Sequence, residues 1–198
     1  MVGVTEVAIG DAHGLARRRD GTVVAWGEAY RTPAGLNDVI AIAAGSWHSL
    51  ALRRDGTVIG WGESGGGQAE PPSGLLDVTA IAAGGHHSLA LRRNGTVVAW
   101  GANTDGQTRV PFGLDGVVAI AAGAFHSLAL RGDGTVAAWG HPDSDQRNVP
   151  YGLVGVVGIA AGYENSTAIL ADGSVVDWGV DRKFRRHPEG FHDVVQIA

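Results

Sequence analysis

The 198-residue chain contains no cysteine, and lysine occurs only at Lys183. Without cysteine there can be no disulfide framework, no thiolate nucleophile and no zinc site with cysteine ligands. Such a chain is compatible with oxidising and with reducing surroundings, so this absence leaves the compartment open.

Long apolar runs and excess positive charge are also missing. No stretch of 18 apolar residues occurs, and the first ten residues, MVGVTEVAIG, lack the basic region and apolar core of a signal peptide. We therefore expect a soluble chain that is either cytoplasmic or secreted with its signal removed. The net charge of −5 argues against a duplex-binding surface, which needs a basic stripe. Neither a membrane nor a nucleic acid is the expected partner.

Glycine, by contrast, is abundant, with 32 residues, and many of these mark five copies of one segment. The third copy, from His87 to Gly101, reads HSLALRRNGTVVAWG. The glycines that close successive copies are 35, 39, 39 and 39 residues apart. A period of this size indicates one supersecondary unit that is stacked repeatedly along the chain.

Each copy has the pattern of a β-hairpin with a further strand before it. In the third copy, alternating apolar residues lead into Asn94-Gly95, a turn pair that tolerates positive φ, and a second strand follows. The run before each hairpin, such as VVAIAAG at 117–123, has small residues suited to crowding around a central axis. The sequence predicts an all-β fold, a β-propeller built from five repeats of about 39 residues with three to four antiparallel strands per blade.

We expect a single domain over residues 1–198. The approximate repeats are 4–38, 39–77, 78–116, 117–155 and 156–193, with a surplus inner strand at 193–198. Arg17 stands where the other copies have Leu or Ile, which suggests that blade one borders open space. A closed five-bladed ring is narrowly favoured over a fragment of a larger ring and over an arc completed by a second chain. The chain is accordingly expected to be a monomer or to associate with itself through open blade edges.

The repeat wording GxxHSLALRxDGTVxAWG…GQxxVPxGL resembles the regulator of chromosome condensation repeat family over essentially the whole chain. It is most similar in style to bacterial members, which include propeller-type inhibitors of β-lactamases. The resemblance implies a β-propeller, usually of seven blades, whereas five hairpins are present here. The large insertion that nucleotide-exchange members use as a wedge is not found.

Successive antiparallel strands run in alternate directions, so the loops and turns that join them fall alternately on two opposite faces of the propeller. The Asp-Gly turns and the Pro-x-Gly-Leu connectors fall on a lower face that is similar in every copy, while two variable loops per blade share an upper face. Variable loops with aromatic residues on a rigid scaffold are typical of binding surfaces. In the inhibitor-like relatives this face grips the partner, so the resemblance implies these partner-binding residues: Trp47, His86, Phe125, Tyr163, Tyr30, Asp105 and Asp143.

Other chemistry finds little support in the sequence. The histidine that begins each hairpin recurs by repetition, so a hydrogen bond to a neighbouring blade is favoured over a metal site. The recurrent tryptophans are interpreted as packing anchors. The basic run 182–187 is interpreted as a solvated outer loop, with contact to an acidic partner or to a phosphate backbone as the alternative. No catalytic residues can be assembled, and no cofactor and no metal are expected.

The sequence therefore predicts a non-enzymatic propeller that binds a protein partner, and its most specific form is an inhibitor of a bacterial enzyme such as a β-lactamase. The alternative is a glycan-binding, lectin-like propeller. A guanine-nucleotide exchange or chromatin-associated factor comes third. The identity of the partner stays open.

Overall fold

A computed structural model describes residues 3–28, 31–142, 145–179 and 194. Within these ranges the chain forms strands, turns and loops, and no helix occurs. The strands are β1 (Val4–Ile9), β2 (His13–Arg18), β3 (Val23–Gly27), β4 (Val39–Ala44), β5 (His48–Arg53), β6 (Val58–Gly62), β7 (Val78–Ala83), β8 (His87–Arg92), β9 (Val97–Gly101), β10 (Val117–Ala122), β11 (His126–Arg131), β12 (Val136–Gly140), β13 (Val156–Ala161), β14 (Asn165–Leu170) and β15 (Val175–Gly179).

These strands form five antiparallel sheets of three strands, each in sequence order, which confirms the predicted blades. In each sheet the inner strand has a register shift near its start, as between Val117 and Ala119. The hairpin turn follows the prediction as well. In the second blade the Asp55 carboxylate accepts hydrogen bonds from the backbone N–H of Thr57 at 2.9 Å and from its hydroxyl at 2.7 Å, and Gly56 adopts a φ of 82°.

Successive blades pack face to face through apolar side chains. Leu50 and Leu52 of the second blade form one cluster with Val78, Ala90 and Trp100 of the third. The same arrangement joins the third blade to the fourth and the fourth to the fifth. Four of the recurrent tryptophans are 4–8 % exposed at these boundaries: Trp61, Trp100, Trp139 and Trp178. They are the interblade anchors that the sequence predicts.

The first blade differs because no described strand packs on its incoming face, the face that would receive a preceding blade. We define this face by Val4, Val7, Ile9 and Trp26, which are 37, 55, 66 and 40 % exposed. Inner strands pack in sequence from β1 to β4, β7, β10 and β13, and no comparable packing of β13 against β1 is found among the described residues. The closed ring that the sequence narrowly favours would bury this face. No described strand covers it, and closure of the ring stays a prediction.

Arg17 does not mark that open face. Its Nε donates to the Glu6 carboxylate at 2.7 Å, and the same carboxylate accepts the backbone N–H of Ile42 in the second blade at 3.3 Å. Leu15, two residues earlier on the strand, packs with Val39 and Ile42 of the second blade. The charge of Arg17 is thus paired at the boundary between blades one and two, so this residue itself is no sign of open space beside blade one.

Two predictions concern residues beyond the described part of the chain. The surplus strand at 193–198 lies there except for Val194, and the basic run 182–187 lies there entirely. The single-domain organisation stays a prediction. A search of the described residues finds no helix long and apolar enough to span a membrane.

Candidate functional site

In the first four blades the two variable loops lie side by side on the upper face, as the alternating strand direction predicts. Backbone hydrogen bonds join them, for example from the N–H of Ala102 to the carbonyl of His86 at 2.8 Å and from the N–H of His141 to that of Phe125 at 3.0 Å. Neighbouring blades are also tied there, since the N–H of Ala124 donates to Gly162 at 3.3 Å. The upper loops are thus held by the scaffold on two sides.

Four side chains from the third, fourth and fifth blades meet on this face, and we call them the upper aromatic cluster. The Phe125 ring lies 5.4 Å from that of Tyr163, edge to face, and 6.2 Å from that of His141. The Nε2 of His141 lies 3.7 Å from a carboxylate oxygen of Asp105. Tyr163 is 65 % exposed, so the cluster presents an aromatic surface backed by its neighbours.

The predicted binding residues divide into three groups. Asp105, Phe125 and Tyr163 belong to the upper aromatic cluster. Trp47 and His86 lie exposed on the second and third blades, and no ring contact links them to the cluster in the part of the chain described. Tyr30 and Asp143 lie outside the described residues. The role of every one of these residues in binding stays a prediction.

His141 is the member that sequence reasoning did not select. The sequence predicts that its loop varies between blades. The His141 side chain contacts Asp105 in a loop of the preceding blade and Phe125 in the other loop of its own blade. A signal was available, because an aromatic ring here replaces Glu63 of the second blade and Ala102 of the third.

The recurrent histidines are structural. The Nε2 of His48 lies 2.9 Å from the Ser88 hydroxyl of the next blade, and that hydroxyl donates to the carbonyl of Gln68 at 2.8 Å. Since the hydroxyl proton is used in that bond, the histidine Nε2 must be the donor to Ser88. His87 and His126 repeat the arrangement one and two blades later. The prediction that these rings bond to a neighbouring blade is confirmed.

Burial sets the charge of these rings. Removal from water lowers the pKa of His48 and His126 to about 4 and that of His87 to about 3, and it lowers the pKa of His13 as well. The rings are therefore neutral at pH 7. They fill space above a glycine, since a Cβ on Gly84 would lie 2.4 Å from the His87 ring.

These features define a class: a β-propeller of sequence repeats that presents a preformed surface of variable loops on one face. The model of the Regulator of chromosome condensation (RCC1) repeat matches residues 4–30, 39–68, 78–107 and 117–146, which is more than half of the chain. The chain belongs to this family.

Solved structures agree with the fold. Yeast RCC1 (Prp20) bound to Kap60 is 26 % identical with a TM-score of 0.77, and the match covers 89 % of this chain and 56 % of that one. Prp20p from Saccharomyces cerevisiae, described with its binding to Gsp1p and histones, is 24 % identical with a TM-score of 0.77, covering 89 % and 58 %. The ectodomain of the receptor kinase ACR4 from Arabidopsis thaliana is 26 % identical with a TM-score of 0.70, covering 89 % and 65 %.

The chain thus spans less than two thirds of the length of each of these three structures. A search of curated proteins finds no match to the chain.

Proposed function

We propose that this protein is a non-enzymatic binding propeller whose partner is another protein that docks on the upper loops. The observation that carries the proposal is the upper aromatic cluster, in which Tyr163 is 65 % exposed while Phe125 packs against its edge at 5.4 Å. Aromatic side chains that are already ordered lose little conformational entropy on binding. Such anchors favour recognition by shape.

The family supports a protein as the partner. Yeast RCC1 has been solved in a complex with Kap60, and Prp20p is described as binding Gsp1p and histones. Because the chain covers only part of those proteins, these partners are not carried over. Inhibition of a bacterial enzyme such as a β-lactamase is the most specific form of the proposal, and it is supported by the resemblance in repeat wording alone.

Binding should be tested with a matched pair of tyrosine variants. Tyr163→Ala removes the exposed ring of the upper aromatic cluster, whereas Tyr151→Ala removes a ring that is 107 % exposed on a lower connector. We would measure affinity by biolayer interferometry against class A β-lactamases, a small GTPase and histones. A hot-spot residue is worth about 2 kcal/mol or more, so Tyr163→Ala should weaken binding at least about tenfold.

Tyr151→Ala should leave the affinity within about twofold, since each tenfold change corresponds to about 1.4 kcal/mol. Equal losses in both variants, or a loss only in Tyr151→Ala, would contradict the upper face as the docking surface. If micromolar protein inhibits no class A β-lactamase, the hypothesis of a β-lactamase inhibitor is excluded. The general proposal of protein binding is then tested by the small GTPase and the histones.

A further inference from the structure

Next to the upper aromatic cluster lies a pocket of about 530 Å³ at the boundary between the third and fourth blades. Its floor is the buried Trp139 with Gly140, and Thr104, Asp105 and His141 contribute to the lining. The remaining wall contains two arginines, Arg109 and Arg147. Pockets of this size accommodate a side chain or a small ligand.

Both arginines have guanidinium donors to spare. Arg147 makes one long bond, from Nη1 to the carbonyl of Gly140 at 3.4 Å, and the side chain of Arg109 folds back towards Gly106. Within the described part of the chain, no carboxylate forms an ion pair with either guanidinium. Each group has five N–H donors, and its planar fork fits a carboxylate or phosphate.

The preceding pair of blades provides a comparison inside the same molecule. A shift of 39 residues places Glu70 at the position of Arg109 and Thr108 at the position of Arg147, while the floor keeps its tryptophan as Trp100. The pocket can therefore be built without arginine. Single arginines recur at the equivalent positions Arg31 and Arg186, but the two cations occur together at one blade boundary, which is the expected pattern for a pair that serves binding and not folding.

The charges in the pocket discriminate between anions. Among the lining residues that the structure describes, Arg109 and Arg147 bring two positive charges, and the Asp105 carboxylate brings one negative charge. A single carboxylate would neutralise the remaining charge, whereas a phosphate dianion would leave an excess of negative charge beside Asp105.

We propose that this pocket binds a carboxylate, the side chain of an aspartate or glutamate on the partner protein, held by Arg109 and Arg147 while the neighbouring apolar surface of the partner contacts Phe125 and Tyr163. This inference rests on the proposed function, because the acidic side chain belongs to the protein that docks on the upper face. It adds a requirement for the partner, namely an acidic residue beside an apolar one.

The test uses small probes, so it does not depend on finding the partner. We would record the side-chain Nε–H signals of arginine by NMR while titrating N-acetyl-glutamate methylamide, with the neutral N-acetyl-glutamine methylamide and inorganic phosphate as comparisons. Saturable shifts of Arg109 and Arg147 are expected with the glutamate probe alone. The exposed Arg54 on the lower face should show no saturable change.

Two variants sharpen the result. Arg109→Glu copies the residue of the preceding blade, so it should fold and should weaken the glutamate probe at least tenfold. Glu70→Arg combined with Thr108→Arg should create a second saturable site at the preceding boundary. Shifts that are equal for the two amide probes, saturation by phosphate alone, or unchanged affinity in Arg109→Glu would overturn the proposal. Loss of partner binding in Tyr163→Ala would support the proposed function even if the carboxylate pocket were refuted, so the two proposals can fail separately.

Discussion

Acid should destabilise this protein through the histidines that join one blade to the next. His48, His87 and His126 are fully buried, and each donates its Nε2 proton to a serine at 2.9 Å. Burial lowers their pKa values in the folded state to about 4, 3 and 4. In the unfolded chain the same rings have a pKa of about 6.5.

The direction in which stability changes with pH follows from these pKa values. Each ring is a base whose folded pKa lies below its unfolded pKa, so its contribution to stability is complete above about pH 6.5 and is lost as the pH falls towards about 4. At pH 5 the unfolded chain gains about 2 kcal/mol from protonating each ring, or about 6 kcal/mol for the three. The total free energy of unfolding of a domain is about 5–15 kcal/mol, so the loss is large.

Equilibrium unfolding in urea, followed by tryptophan fluorescence at pH 7, 6 and 5, measures this loss. The turn aspartates should not interfere. Asp20, Asp55 and Asp133 have pKa values lowered by hydrogen bonds from Thr22, Thr57 and Thr135, so their contribution is lost only below about pH 4.

A matched pair of histidine variants separates this mechanism from a general effect of acid. His126→Asn copies Asn165, the residue at that position in the fifth blade, and should remove about one third of the loss that His48, His87 and His126 cause together. His86→Asn changes an exposed histidine whose charge is only a minor cause of the lowered pKa values of His48 and His87, after burial, so it should reduce the dependence much less than His126→Asn does. A free energy of unfolding that is the same at pH 7 and pH 5, or an undiminished pH dependence in His126→Asn, would refute the reasoning.

Two further predictions concern the boundaries between blades. Gly84→Ala should lower the free energy of unfolding by about 3 kcal/mol or more, because the new Cβ would lie 2.4 Å from a backbone oxygen of the next blade. The control Gly74→Ala, at a position with a φ of +76° and open space around it, should cost about 1 kcal/mol. Thermal unfolding of the two variants measures the difference. Glu6→Ala should destabilise the protein by about 2 kcal/mol, because it leaves Arg17 unpaired in a partly buried position. Adding Arg17→Leu should restore or exceed the original stability in urea, since it recreates the apolar pair of the other blades. A double variant that is no more stable than Glu6→Ala would contradict this account.

The sequence predicts the blades well because each depends on local signals. The Asn94-Gly95 turn, the alternation around Leu89 and the period of 39 residues are repeated, so an error in one copy would be exposed by the others. The face of each loop follows from strand parity alone. These signals do not require knowledge of how one blade is oriented against the next.

The features that the sequence did not reveal depend on contacts between separate segments. The pair of Asp105 and His141 joins loops of two blades. The sequence of neither loop predicts the angle between those blades, so the contact could not be predicted. The partner of Arg17 was within reach, because Glu6 lies directly opposite it in the register of β1 and β2. Comparing residues within one repeat, as well as between repeats, would have found that ion pair.

The incoming face of the first blade has a consequence for how such a protein can change its length by duplication. A blade placed before it would meet an apolar surface that already contains Trp26, so the added repeat would gain burial at once. It would not gain the histidine bond, because Gly14 stands where later blades carry a serine such as Ser49. Repeat number can therefore grow in two stages. Apolar contact comes first, and the hydrogen bond that fixes the register of the new blade follows only when Gly14 becomes a serine and the Trp26 ring moves aside, because a Cβ on Gly14 would lie 2.2 Å from that ring.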